Sequence, residues 1–197
     1  HLRSPLAGTC AVVACFAIFY LSTAFALGYG TTPVESGGLG YSRVSFLLVQ
    51  LGAIIFLALG IVVAGYRADA TSSGHVLMLG CAATIGAGMA FGPLLGSGSL
   101  WLVWGALSVA LFVMGFVYGP LGAWLPGQFP VRVRYTGASV AFNAGGILGG
   151  AVAPIAAQAL SEIGGSDAVG LYLAAAGLVS LAGLWVQHRH RAMAATA

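Results

Sequence analysis

Two long uncharged apolar runs, joined by a short link that carries arginines, constrain this chain more than any other feature. The runs extend over residues 100–124 and 138–160, and neither contains a charged residue. Uncharged apolar runs of about 18 residues or more are typical of membrane-spanning helices. The link carries Arg132 and Arg134, and arginines concentrate in cytoplasmic loops. The pattern therefore predicts two transmembrane helices joined by a cytoplasmic turn.

Composition extends this interpretation to the whole chain. Hydrophobic residues make up 59% of it, charged residues only 6%, and lysine does not occur. A water-soluble domain needs roughly 25% charged residues to cover its surface, so an integral membrane protein is indicated. The net charge of +3 comes from arginines scattered singly along the chain, which does not favour nucleic-acid binding. The three cysteines lie in apolar runs without metal-ligand spacing, so we expect no metal and no cofactor.

Six apolar segments can be drawn, and they predict an all-α membrane protein with six transmembrane helices. The predicted spans are 6–29, 44–65, 76–95, 100–124, 138–160 and 168–186. Glycine-, serine- and proline-rich links separate them, which is typical of loops.

The arginines collect on one side of this topology. Six of the seven fall in links or tails on one side, whereas Arg43 alone falls on the other. By the positive-inside rule the arginine-rich side is cytoplasmic, together with both ends of the chain. Asp69 is the one acid of four on that side. We expect Asp69, Arg132 and Arg134 to serve as cytoplasmic gating or topology residues. The six arginines on the predicted cytoplasmic side are Arg3, Arg67, Arg132, Arg134, Arg189 and Arg191.

A glycine-rich stretch organises the fifth predicted span. Two overlapping GxxxG spacings, formed by Gly145 with Gly149 and by Gly146 with Gly150, favour close helix packing in membranes. Pro154 follows in the same span and is expected to kink it. Such features suit a helix that rocks or gates, and they equally suit the packing of a static bundle.

Uncharged polar residues within the spans are the candidates for lining a substrate cavity. Amides and phenols orient polar ligands by hydrogen bonds without the cost of a buried charge. The alternative for the same residues is hydrogen bonding between helices or, for the tyrosines, an interfacial belt. No charged residue lies within a predicted span, so this part of the chain offers no carboxylate for proton transfer. No enzyme motif is present, and we expect a protein that is not an enzyme. The candidates for lining a substrate cavity are Tyr20, Thr23, Gln50, Tyr118 and Asn143.

Three ordered segments resemble one transporter family. They cover residues 118–121 (YGPL), 129–139 (FPVRVRYTGAS) and 145–154 (GGILGGAVAP), and residues 39–43 (LGYSR) add to the likeness. Together they resemble the second half of the metabolite:proton symporters of the major facilitator superfamily, which carry shikimate, 2-oxoglutarate, citrate, and proline or betaine. The resemblance implies that the six spans are helices seven to twelve of a twelve-helix carrier in the inner (plasma) membrane. The first residue is His1 rather than Met, which agrees with a fragment.

The resemblance also implies a function. A carrier of this family moves a small polar metabolite, here an organic acid or a zwitterion, by alternating access, and couples it to protons. Since the spans hold no titratable acid, the proton site is expected in the N-terminal half, which would be this chain's partner in the bilayer. The alternative is a non-transporting six-helix membrane scaffold or the remnant of a split gene.

The sequence departs from the family in two cytoplasmic links. Gly127 and Gln128 stand where the family usually has an acid. The link after the second span keeps Gly65 and Asp69 but continues as ATSSGH in place of a basic run. The basic residues with which the family latches its two halves are therefore missing from this link.

Overall fold

The computed structural model describes the backbone of residues 3–195 and the side chains of residues 8–187. The side chains of Arg3, Arg189 and Arg191 therefore lie outside the described residues. Within the described range the chain is helical and contains no β-strand. The helices are α1 (Arg3–Tyr20), α2 (Ala26–Thr31), α3 (Arg43–Ala70), α4 (Ser73–Leu95), α5 (Leu100–Trp124), α6 (Arg134–Gly146) and α7 (Val152–Ala195).

Two π turns make longer helical segments out of shorter helices. The turn Leu21–Phe25 joins α1 to α2, and the turn Ile147–Ala151 joins α6 to α7. A π turn holds one residue more per turn than the α-helix around it, and such turns are frequent at functional sites. Both π turns lie beside candidate residues of the predicted cavity.

Five helical segments are long and apolar enough to cross a membrane. The first four, Gly8–Thr31, Arg43–Ala70, Ser73–Leu95 and Leu100–Trp124, correspond one to one to the first four predicted spans. The fifth, Val131–Gln187, is 57 residues long and includes both the fifth and the sixth predicted spans. An all-helical membrane bundle is thus confirmed, while the count of six spans stays a prediction.

The long fifth segment doubles back on itself. Gly164 leaves the helical region and Gly165 has a φ of +64°, a conformation that glycine adopts readily. On one side of this break, Gly145 packs against Val12 of α1. On the other side, Ser180 forms hydrogen bonds with the α1 backbone at nearly the same level. Because both sides of the break reach the same level of α1, the chain reverses direction at the two glycines.

Contacts between loops define one end of the bundle. The hydroxyl of Tyr41 donates to the carbonyl of Gly98, which ties the loop after α2 to the link between α4 and α5. Gly96 in that link packs against Ser166, next to the glycine break.

The opposite end holds the remaining links. Gln187 Nε2 donates to Gln128 Oε1 over 2.9 Å, and Gly8 packs against Leu125 and Phe129. The cavity that Gln128 lines also includes Ser72 from the link between α3 and α4. This end therefore carries Arg67, Asp69, Arg132 and Arg134, and it brings both ends of the described chain together.

Helices α3 and α4 extend further than their apolar spans. The predicted polar link 66–75 is reduced to Thr71 and Ser72, because α3 continues to Ala70 and the Ser72 hydroxyl caps α4 by accepting from the His75 N–H. The buried residues of α3 form a narrow stripe, and most of its other apolar side chains are exposed. Such a helix agrees with an environment of lipid rather than water. The buried residues are Phe46, Ala53, Gly60 and Ala64.

A side chain of α7 forms two hydrogen bonds with the backbone of α1. The hydroxyl of Ser180, which is fully buried, donates to the carbonyl of Cys10 over 2.6 Å and accepts from the N–H of Ala14 over 2.9 Å. These two backbone groups are four residues apart, which is the spacing of an α-helical hydrogen bond. Ser180 therefore links α7 to the backbone of α1.

Candidate functional site

Three of the five predicted cavity residues lie on one open face, which α1, α5 and α6 form. Tyr118 and Asn143 line a concavity of about 410 Å³. Tyr20 and Asn143 line a second concavity of about 360 Å³. Phe142 and Asn143 belong to both, so the two concavities adjoin. We call this combined surface the polar face.

Asn143 occupies the centre of the polar face. Its Nδ2 donates to the carbonyl of Ser139, one turn earlier in α6, over 2.8 Å. This bond holds the amide on the exposed side of the helix. Its Oδ1 accepts no hydrogen bond from the described residues 8–187, so this oxygen is free to accept one from a ligand N–H or O–H.

The two tyrosines flank Asn143. Tyr20 is 36% exposed and Tyr118 is 44% exposed, and neither hydroxyl bonds to another described side chain or backbone group. The Tyr20 ring stacks on Phe16 with centroids 6.5 Å apart and lies against Gly150, where a Cβ would come within 2.7 Å of Cε2. Glycine at position 150 thus makes room for the ring.

The glycine stretch brings α6 close to α1. A Cβ at Gly145 would lie 2.7 Å from Cβ of Val12, and one at Gly149 would overlap the carbonyl oxygen of Val13. Gly146 is less constrained, since its nearest neighbour, in the Phe16 ring, is 3.4 Å away. The close approach of the two helices places Tyr20 beside Asn143.

Pro154 lies directly after the second π turn. A proline cannot donate a backbone hydrogen bond to the carbonyl four residues earlier, here that of Gly150. The chain accommodates this with the widened turn Ile147–Ala151 rather than with a break in the helix. The change in helical register also alters the direction in which the following residues project.

Gln50 and Thr23 lie apart from the polar face. Gln50 Nε2 donates to the carbonyls of Ser22 and Thr23 over 3.0 and 2.8 Å, and Thr23 Oγ1 donates to the carbonyl of Phe19 over 2.7 Å. Since the first π turn disturbs the ladder here, the amide of Gln50 satisfies backbone groups and ties α3 to the first helical segment. For Gln50 this is the hydrogen bonding between helices that we gave as the alternative to a cavity role, whereas the Thr23 hydroxyl bonds within its own helical segment. For both residues the cavity role stays a prediction.

The candidate gating residues lie at the Gln128–Gln187 end. Asp69, Arg132 and Arg134 are exposed, and their side chains form no hydrogen bond or ion pair with another described residue. They are therefore available to a partner, and their predicted role is open.

The sequence reasoning missed two polar residues of the polar face. Tyr135 and Ser139 line the same concavity as Asn143. The spacing 135, 139, 143 places all three on one face of α6, and this regularity was the signal that could have found them.

These observations define the chain as an integral membrane protein of packed helices that exposes a concave polar face. No protein-family model matches the chain. It is 38% identical over 192 residues to the inner membrane metabolite transport protein YhjE of Escherichia coli, covering 97% of this chain and 43% of that protein. It is also 34% and 30% identical, over 191 residues each, to two Haemophilus influenzae proteins that are described provisionally as metabolite transport proteins. Those matches cover 93% and 94% of this chain and 43% of each relative.

The chain spans less than half the length of these curated relatives. Its predicted resemblance to metabolite transporters is confirmed. The relatives are transport proteins, which also confirms that the chain is not an enzyme. The E. coli relative and the apolar helices together support an integral inner membrane protein.

Proposed function

We propose that this chain is the C-terminal half of a major-facilitator carrier, with six transmembrane crossings and both ends in the cytoplasm. The reversal at Gly164 and Gly165 supports a count of six, because it divides the 57-residue segment into two antiparallel crossings. The arginine-rich end supports the orientation. The share of each relative that the chain covers supports the assignment to one half.

The carrier moves a small polar metabolite, an organic acid or a zwitterion, by alternating access. The polar face carries this proposal, because it gathers three phenol hydroxyls, one serine hydroxyl and one amide on an open concave surface. Hydroxyl and amide donors bind a carboxylate, and the free Oδ1 of Asn143 accepts from a hydroxyl or ammonium group. In the whole carrier the N-terminal half covers this face, and the substrate lies between the two halves near the middle of the bilayer.

Transport is coupled to protons through a residue of the N-terminal half. The charged residues with described side chains all lie at helix ends, in links or beside the glycine break. A charge within the bilayer is costly and marks ion and proton pathways, and residues 8–187 supply none. Asp69, Arg132 and Arg134 then pair with residues of the other half in one state of the cycle.

Uptake by cells that express the full-length protein tests the proposal. Labelled organic acids and betaine are offered with and without an uncoupler of the proton gradient. We expect uptake that the uncoupler abolishes, and that falls at least tenfold in Asn143→Ala at equal surface expression. Tyr172→Phe, a change of a phenol in α7 away from the polar face, is the control and should keep uptake.

The alternative, a non-transporting scaffold or split-gene remnant, predicts no uptake of any substrate by the full-length protein. Uptake that persists with the uncoupler would contradict proton coupling and leave facilitated diffusion. Liposomes that contain only these 197 residues should not transport, and robust uptake by them would contradict the need for a second half.

A further inference from the structure

A second concave surface lies between α3 and α4, at the Gln128–Gln187 end of the bundle. Its volume is about 640 Å³. The mouth is polar, with Arg67 from the last turn of α3 and Thr71 and Ser72 from the link. The wall below is apolar, with Val63, Leu79 and Phe116. We call this surface the interfacial groove.

The groove changes from polar to apolar in the direction of the membrane. Val63 lies one turn deeper than Arg67 on α3, and Leu79 lies one turn deeper than His75 on α4, so each pair shares a helix face. Val63 and Leu79 are 39% and 63% exposed. One helical turn is about 5.4 Å, so a cationic mouth lies directly above an apolar wall that is open to lipid.

The electrostatics of the mouth favour an anion. The guanidinium of Arg67 forms no hydrogen bond or ion pair with another described residue, and the groove lies beside the N-terminus of α4, a helix of 23 residues that Ser72 caps. A helix N-terminus adds a positive partial charge. Asp69 is the nearest acid in sequence, but it lies two residues from Arg67, about 200° around the helix, and so projects away from it.

The groove faces away from the polar face. Phe116 lines the groove and Tyr118 lines the polar face. These residues are two positions apart on α5 and therefore point to opposite sides of the bundle. A partner half that covers the polar face leaves the interfacial groove exposed to lipid.

We propose that the interfacial groove binds one anionic phospholipid, with its phosphate at the guanidinium of Arg67. The hydroxyls of Thr71 and Ser72 are already bonded within the protein, to the Arg67 carbonyl and to His75, so Arg67 is the headgroup's donor. One acyl chain lies along Val63, Leu79 and Phe116. The combination of a cationic mouth and an apolar wall fits a molecule that is anionic at one end and apolar at the other, since a soluble phosphate would leave the wall uncovered. This site is independent of the transport proposal.

Native mass spectrometry of the full-length protein, purified in detergent and titrated with phosphatidylglycerol or phosphatidylcholine, tests the site. Wild type is compared with Arg67→Gln and Arg67→Lys. Arg132→Gln removes an exposed arginine from the same end of the bundle but outside the groove, and is the matched control. We expect the first phosphatidylglycerol to bind about fivefold more weakly to Arg67→Gln, with binding largely kept in Arg67→Lys and in the control.

Three results would overturn the proposal. Equal losses in Arg67→Gln and Arg132→Gln would indicate general attraction by surface charge. Equal retention of phosphatidylcholine would remove the role of the anionic headgroup. Displacement of the lipid by millimolar glycerol phosphate would indicate a site for soluble phosphates in place of a lipid site.

Discussion

Replacing Gly149 by alanine tests the close approach of α1 to the second π turn, which continues α6 and on which the polar face depends. An added Cβ would overlap the carbonyl oxygen of Val13, and it would lie 3.1 Å from the Val13 carbonyl carbon and 3.0 Å from Cβ of Phe16. The Val13 atoms belong to the backbone of α1, so a rotamer change cannot relieve the overlap. The helices must move apart.

The expected destabilisation follows from two opposing terms. Overpacking a tight interface costs about 1–3 kcal/mol, while alanine is about 1 kcal/mol more favourable than glycine in a helix. Because the overlap is with backbone atoms, the overpacking cost for Gly149→Ala lies in the upper part of this range, about 2–3 kcal/mol, and the net loss is about 1–2 kcal/mol. For Gly146→Ala, where the nearest atom is at the ordinary distance of 3.4 Å, we expect no loss and a gain of up to about 1 kcal/mol.

Reversible unfolding of the full-length protein in mixed micelles, with the SDS fraction as the denaturant, measures both variants. Because Gly149 lies between the segments that carry Tyr20 and Asn143, uptake should fall in Gly149→Ala and not in Gly146→Ala. The reasoning is refuted if Gly149→Ala is as stable as wild type, or if Gly146→Ala is the more destabilised of the two.

Three further variants test polar contacts through the same free energy of unfolding. Ser180→Ala removes the hydroxyl that bridges two backbone groups of α1 and should cost about 1–2 kcal/mol. Its control is Ser108→Ala, which should cost nothing because the buried Ser108 hydroxyl has no partner among the described residues. Equal losses in the two variants would contradict the bridge. Gln50→Leu leaves two carbonyls of the first π turn without their donor and should cost about 1–3 kcal/mol. An unchanged free energy of unfolding would contradict this hydrogen-bonded link between α3 and the first helical segment. Tyr41→Phe unties two loops and should cost about 0.5–1.5 kcal/mol, whereas Tyr66→Phe, an exposed control, should change nothing.

The sequence identified the polar candidates but did not predict which of them share one face of the bundle. Tyr20, Gln50 and Asn143 are equivalent by sequence, since each is an uncharged polar residue in an apolar run. In the structure Tyr20 and Asn143 lie on the polar face, while Gln50 bonds to the backbone of a π turn. The sequence carries no evident signal for the π turns. Each π turn changes the direction in which the side chains after it project.

The role of Ser180 and the form of the glycine break also depend on the tertiary structure and not on the local sequence. Ser180 is one serine among several in α7, and its role depends on the position of Cys10 and Ala14, about 170 residues earlier. The loop predicted at 161–167 is condensed into a reversal at Gly164 and Gly165, because α7 stays helical on both sides of it.

The sequence by itself determined the membrane environment, the positions of the first four spans and the grouping of arginines at one end. These properties depend on the length of apolar runs and on the order of charges along the chain, and the bilayer responds to both locally. Only the tertiary structure decided which polar groups share the polar face, how α6 approaches α1 and where the interfacial groove lies. Each of these depends on the rotation of a helix about its axis and on the neighbours it meets, and van der Waals packing between distant segments sets both.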